Sequence, residues 1–480
     1  MADKKAFYLT TTLPYVNADP HIGFALEIVH ADVQARFHAL TGEDVFFNTG
    51  TDEHGAKIHR KAVEEGKAPQ AYVDEYAAKF RGLKDKLNLY PEIHFIRTTD
   101  AKHKDAAQEF WQRCLAKGDI YKKNYQIRYC VGCELEKTDS DLVDGHCPLH
   151  PNLEIELIDE ENYFFKFSNY SQKLLDFYKE KPDFVVPSFR FNEIIKFTEE
   201  GLQDFSISRL KEKMPWGVAV PNDEGHVMYV WFDALVDYIS TIDWPQDEQS
   251  FKKWWIETGG VVQFAGKDQI RQQAAMWQAM LMSAGLTPSK QIVIHGFINV
   301  GGQKMSKSLG NVIDPYAIVG EYGVDPLRYY LARHISPFED SDFSMEKFKE
   351  AYNANLANGL GNLVSRIMKL AEDNLEAGTR PAAAGFPNEY IEAIKKYELN
   401  KAMDHIWSRV GVLDERITRE APYKLVKTDK EAAQKIIFEM TQELYLIGRM
   451  LNPFMPETSE KIKDAIVANK KPENLFARKD

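Results

Sequence analysis

Long apolar runs are missing from this 480-residue sequence. No stretch of about 20 apolar residues occurs, so no segment is suited to cross a bilayer as a helix. The N-terminus, MADKKAFYLTTTLPYVN, carries lysines but lacks the apolar centre of a secretory leader. The expectation is a cytoplasmic protein with no membrane partner. Cysteine is scarce, with four residues in all: Cys114, Cys130, Cys133 and Cys147. Three of them crowd into one short stretch, a pattern that argues for a metal and against a disulfide framework. Positive charge is in deficit, 60 Lys and Arg against 72 Asp and Glu. A net charge of −12 argues against broad, sequence-blind binding of nucleic acid. The acidic excess lies in the first 350 residues, whereas the remainder is nearly balanced and leaves room for a local RNA contact. Internal repeats and low-complexity tracts are also lacking.

What is present is a rhythm. AFYLTTT reads as a short buried strand, followed by a loop and then by Asp19-Pro20, residues that suit a helix start. Ile22, Leu26, Val29, Val33 and Phe37 follow at three-four spacing, one apolar face, and Gly42 closes the helix. DVFFNTG is a second strand and AKIHRKAVEEG a second helix. Strand–helix alternation implies an α/β fold with a parallel sheet. Residues 118–225 break the alternation with the cysteines and short strand-like runs, and read as an insertion. From HVMYVWFDALVDYISTI to KQIVIHGFINV the strand–helix pattern resumes. Beyond two further proline-started helices the chain reads as an all-α helical bundle.

Two motifs carry chemistry. In GGQKMSKSLGN, Gly301-Gly302 allows a sharp turn, and Lys304 and Lys307 are point charges spaced to follow a phosphate chain. Such a loop suits stabilising charge on a departing pyrophosphate. In DPHIGF, His21 lies at a helix start beside a run of unpaired backbone N–H groups, which is an anion site. Gly23, without a side chain, lets a nucleotide approach. The spacing Cys130-x2-Cys133-x13-Cys147-x2-His150 supplies three thiolates and an imidazole for one structural tetrahedral Zn2+. Cys114 falls outside this pattern and reads as a buried hydrophobe.

KMSKS and PHIGF, in that order within a split α/β pattern, resemble the two signatures of class I aminoacyl-tRNA synthetases. TTLPYVNADPHIG, DVFFNTGTDEHG, YVWFDALVDYIS, IHGFINVGGQKMSKSLGN and NLANGLGNLVSR resemble the methionyl-tRNA synthetases in particular. The resemblance runs from about residue 6 to 465. It implies a Rossmann-like catalytic domain over 1–117 and 226–300, with 118–225 as a connective insertion bearing the zinc knuckle. It further implies a KMSKS loop and stem-contact region over 301–350, and an α-helical anticodon-binding domain over 351–480.

Carried over residue by residue, the resemblance implies His21, Lys304 and Lys307 as catalytic residues. ATP falls to these three with Gly23, Gly266 and Asp268, and methionine to Leu13, Tyr15, Asp52, Trp231, Ala234, Tyr238 and His295. Asp52 would pair the substrate ammonium. Asn362 and Arg366, one turn apart on a helix, and Tyr423 would read the anticodon. The sequence departs from the family at Phe24, where a second signature histidine is usual, at Gln273, where histidine is usual, and at Tyr423, often tryptophan. The implied activity is methionine–tRNA ligation with Mg2+ and ATP on initiator and elongator tRNA(Met), by a monomer. The alternative is a catalytically impaired RNA-binding paralogue, for which Phe24 is the best support.

Overall fold

The computed structural model describes residues 4–133, 135–137, 139–305, 310–376 and 385–479. Contacts divide the chain into two units. One comprises Met1–Pro20, Glu43–Leu83 and Glu92–Ile294; the other comprises His21–Gly42, Lys84–Pro91 and His295–Asp480.

The first unit is built on a parallel sheet. Its strands are β1 (Ala6–Thr10), β2 (Asp44–Thr51), β3 (His94–Arg97), β4 (Val185–Val186), β5 (Val262–Gly266) and β6 (Gln291–His295). Their order is β3-β2-β1-β5-β6-β4. Leu9 faces Phe47 on one side and Val262 on the other. Nearly every residue of β1, β2 and β5 is buried, the mark of a sheet covered on both faces. The chain moves outward from β1 to β3 on one side and returns through β5 and β6 on the other. The point where order reverses, between β1 and β5, is where open sheets of this kind bind ligands, beyond the carboxyl ends of the strands. Beneath it lies a core containing Phe110, Trp111, Phe165, Trp255 and Trp277, all fully buried. Each such phenylalanine contributes about 1.5–3 kcal/mol by leaving water.

The stretch 118–225 is dominated by a long antiparallel pair, Ile120–Cys130 against Glu156–Phe165, matched from Ile120↔Phe165 to Tyr129↔Glu156. These strands are longer than the short runs visible in the sequence. Val185–Val186, read there as part of the insertion, pairs parallel with β6 and forms the edge of the main sheet.

The second unit begins with helix α1 (Ile22–Leu40). It is capped by His21 and not by Asp19, whose carboxylate pairs with Lys79 in the first unit at 2.8 Å. The periodic apolar residues are buried, but so are Glu27, His30, Asp32 and Gln34. Each has a partner: His295 for Glu27, the Leu331 carbonyl for His30, Arg36 and Arg328 for Asp32, and the Ile394 carbonyl for Gln34. A helix buried on most faces must satisfy its polar groups internally. From Met345 to Ala468 the described chain is mainly helical, including Asn362–Asn374, Leu399–Glu420, Lys430–Leu451 and Pro456–Ala468, and residues 470–479 follow without regular structure. Among the described residues, no helix is long and apolar enough to cross a membrane.

Candidate active site

In the second unit the lysine loop and the tip of α1 come together. Strands β7 (Ile298–Val300) and β8 (Gln303–Lys304) pair antiparallel, with Val300 opposite Gln303. The turn between them is Gly301-Gly302, at φ +61° and +73°, so both central residues occupy the left-handed region that a two-residue hairpin of this twist demands. Asp342 Oδ1 accepts the Gly302 N–H at 2.9 Å and pins the turn. Lys304 is exposed, its Nζ 4.8 Å from the centre of the Phe297 ring. Lys307 lies outside the described residues.

The chain returns to α1 at once. The Ile22 N–H donates to the Ile313 carbonyl at 3.1 Å. A Cβ at Gly23 would meet the His21 ring at 2.9 Å and Met305 Cε at 3.5 Å. Glycine is therefore needed for the imidazole to fold back over the helix end. His21 Nδ1 accepts from the Gly23 N–H at 3.1 Å, which leaves the neutral ring's hydrogen on Nε2 as a donor. This arrangement corrects one expectation. The first-turn N–H groups are not unpaired: Ile22 donates to Ile313, Gly23 to the His21 ring, and Phe24 and Ala25 to the His21 carbonyl. The affinity of this tip for an anion thus falls to the helix dipole, the imidazole and the lysines. His295, at the end of β6, sets Nε2 2.7 Å from Glu27 Oε2, and its Nδ1 is 2.8 Å from the Gly296 carbonyl.

In the first unit, the other expected residues gather at the carboxyl edge of the sheet. β1 and β2 continue their pairing beyond the strands, with the Asp52 N–H donating to the Pro14 carbonyl at 3.0 Å and the Val16 N–H to the Asp52 carbonyl at 3.3 Å. Leu13 and Tyr15 are half-buried beside Asp52, which is 5% exposed. Gly266 ends β5, next to β1, and Asp268 follows it, exposed. Trp231 and Ala234 lie on helix α2 (Val230–Ala234) and Tyr238 on helix α3 (Asp237–Ser240).

Behind these residues stand groups that the sequence reading did not assign. His54 Nδ1 lies 2.8 Å from Asp233 Oδ2, and His103 Nε2 lies 2.7 Å from Asp233 Oδ1. His103 Nδ1 in turn is 2.7 Å from Asp237 Oδ1. All four side chains are buried. The network ties the strand end that carries Asp52 to the helices that carry Trp231, Ala234 and Tyr238. Gln263 Nε2 donates to Gln273 Oε1, and Gln273 Nε2 to the Tyr238 hydroxyl. His54, Asp233 and Asp237 fall within the quoted DEHG and WFDALVDY but His103 does not, and each histidine lies more than a hundred residues from its aspartate partners in sequence.

Cys130, Cys133, Cys147 and His150 place their ligand atoms within 4.8 Å of one another. Cys133 Sγ is 3.4 Å from Cys147 Sγ and 3.2 Å from His150 Nδ1. Four soft donors at such separations match the edges of a small tetrahedron around one ion. Cys114 is fully buried at the core, where burial pushes its thiol up to about 12.

In the helical region, Asn362 is exposed at the start of Asn362–Asn374, with Arg366 one turn on. Arg366 Nη1 is ion-paired with Asp414 on Leu399–Glu420. Tyr423 is 49% exposed.

Comparison with known proteins places most of the chain in one family. The family model described as tRNA synthetases class I (M) matches residues 7–154 and 151–368. The methionine–tRNA ligase of Thermosynechococcus vestitus is 42% identical over 95% of this chain and 89% of its own length. That of Thermotoga maritima is 38% identical over 97% of this chain and 76% of its own. The structure of Mycobacterium tuberculosis methionyl-tRNA synthetase in complex with methionyl-adenylate matches with a TM-score of 0.88, at 35% identity over 99% of both chains.

Proposed function

The chain belongs to the class I tRNA synthetases of the methionine type, and from that premise we propose how its residues carry out methionine–tRNA ligation. A carboxylate oxygen of methionine attacks the α-phosphorus of ATP. The bond to the bridging oxygen breaks, and pyrophosphate leaves with its electron pair. The 2′-hydroxyl of the terminal adenosine of tRNA(Met) then attacks the methionyl carbonyl, loses its proton and releases AMP. No enzyme nucleophile is required; positioning and electrostatics suffice.

Asp52 pairs the ammonium of methionine. Leu13, Tyr15, Trp231, Ala234, Tyr238 and His295 are assigned to the methionine side chain, whose thioether favours aromatic edges. Gly266 and Asp268 take the adenosine. His21 Nε2 donates to phosphate, Gly23 leaves room for the His21 ring at the helix end, and Lys304 and Lys307 follow the charge that builds on pyrophosphate. Mg2+ bound with ATP neutralises part of the triphosphate charge. Cys130, Cys133, Cys147 and His150 hold one structural zinc, with all four positions filled by protein. Asn362, Arg366 and Tyr423 meet the anticodon of initiator and elongator tRNA(Met). The chain acts as a monomer in the cytoplasm.

What supports this reading most is the joining of α1 to the lysine loop through Ile22 and Ile313, at the head of a chain so similar to its relatives. Amino-acid-dependent ATP–pyrophosphate exchange tests it. Exchange with methionine and not with leucine or cysteine is expected. Absence of exchange with every amino acid would instead favour the RNA-binding paralogue.

A further inference from the structure

Met345–Ala351, Tyr352–Gly361 and Asn362–Asn374 form one continuous helical run whose ten middle residues are π-wound. Long π segments are rare and concentrate at functional sites. This one leads directly into Asn362. Beside it lies a groove of about 510 Å3, lined on the helix by Asn358, Asn362 and Ser365. The opposite wall is the C-terminal segment 474–478, including Asn474 and Arg478.

That second wall is fixed in place. The Tyr352 hydroxyl donates to the Ala477 carbonyl at 2.7 Å, and Asn353 exchanges two hydrogen bonds with the backbone of Lys479 at 2.7 and 2.9 Å. The Phe476 ring stands edge-on to Tyr352 at 6.2 Å. Among the described residues, the side chains of Asn358, Asn362, Ser365, Asn474 and Arg478 make no hydrogen bond or ion pair within the protein. Three amides offer paired donors and acceptors, the pattern that matches a base edge. Arg478 can stack on a base or meet a phosphate. Residues 470–479 hold Lys470, Lys471, Arg478 and Lys479 against Glu473 alone, a local excess of positive charge in an acidic chain. The volume suits a nucleotide and is far too small for a folded partner.

We propose that segment 474–478 is the second wall of a nucleotide cleft, in which an unstacked base of the tRNA anticodon loop lies between Asn362 and Arg478. The proposal rests on the reading of the helical region as the anticodon-binding part. It is tested with the full chain and a fluorescently labelled anticodon stem-loop of tRNA(Met), by anisotropy. Arg478→Ala and Asn474→Ala should each weaken binding about three- to tenfold, with Arg478→Lys intermediate. Both positions are exposed, and circular dichroism melting verifies that the variants fold. Wild-type affinity in both alanine variants, with Asn362→Ala still weakened, would overturn the proposal and leave the anticodon reading standing. Wild-type affinity in all three would overturn both.

Discussion

Gln273 Nε2 donates to the Tyr238 hydroxyl at 2.8 Å, and Gln263 Nε2 donates to Gln273 Oε1 at 2.7 Å. The two amides thus hold the ring of Tyr238, a residue assigned to the methionine pocket, so its placement depends on Gln273. Where the family usually has histidine, this chain has an amide that donates without titrating. Gln273→Leu should raise KM for methionine about five- to tenfold, the cost of one lost buried hydrogen bond, while KM for ATP changes much less. Gln273→His should restore most of the loss. Equal shifts in both KM values would show that Gln273 serves only packing.

Lys304 and Lys307 are assigned to charge that exists chiefly in the transition state. Lys307→Ala should therefore cut the rate of pyrophosphate exchange about 10²- to 10³-fold, with methionine binding nearly intact. Lys304→Ala should act in the same direction. Lys304 stands at the hairpin and Met305 reaches Gly23, so the loop is anchored beside His21 at its first lysine. Near-normal exchange in either variant contradicts the assignment.

The cysteine–histidine cluster should hold one zinc per chain, measurable by atomic absorption. In Cys133, burial and the hydrogen bond with Cys147 push the metal-free thiol up to about 12. Zinc binds the thiolate and not the thiol, so zinc uptake should release protons. Cys147→Ala should abolish stoichiometric zinc and lower the melting temperature by several degrees. An ion content unaffected by the substitution would refute the site.

Much of this was legible in the sequence because it depends on local pattern. Continuous apolar strands pointed to the parallel sheet, and the knuckle spacing to the cluster of three cysteines and a histidine. The unread features depend on distant partners. Glu27 and Asp32 interrupt the apolar pattern of α1, yet both are buried, because His295 and Arg328 arrive from nearly three hundred residues away. The helix tip looked open because the carbonyl that closes it belongs to Ile313. His54, His103 and Asp233 lie in three separate stretches, and nothing local marks them as a network.

That network sets a pH dependence. Burial would lower the pKa of His103, but the charge of Asp237 and the hydrogen bonds with Asp233 and Asp237 outweigh it and raise it to about 10. Burial would raise Asp233, yet His54 and His103 bring it down to about 2, while burial lifts Asp237 to about 6 against the pull of His103. The raised histidine stabilises the fold fully below its unfolded value of 6.5, and that contribution is lost as pH rises through about 10. Asp233 contributes above 3.8 and loses its part as pH falls toward 2. The raised Asp237 contributes below 3.8 and loses its part as pH rises through 6. Calorimetric melting between pH 7 and 10 should therefore show a falling limb that belongs to His103. Asp237→Asn removes the charge that raises His103 most while preserving shape, and should move that limb toward neutral pH. If wild type and Asp237→Asn lose stability in parallel over this range, His103 is neutral at pH 7 and the network holds the pocket wall through shape alone.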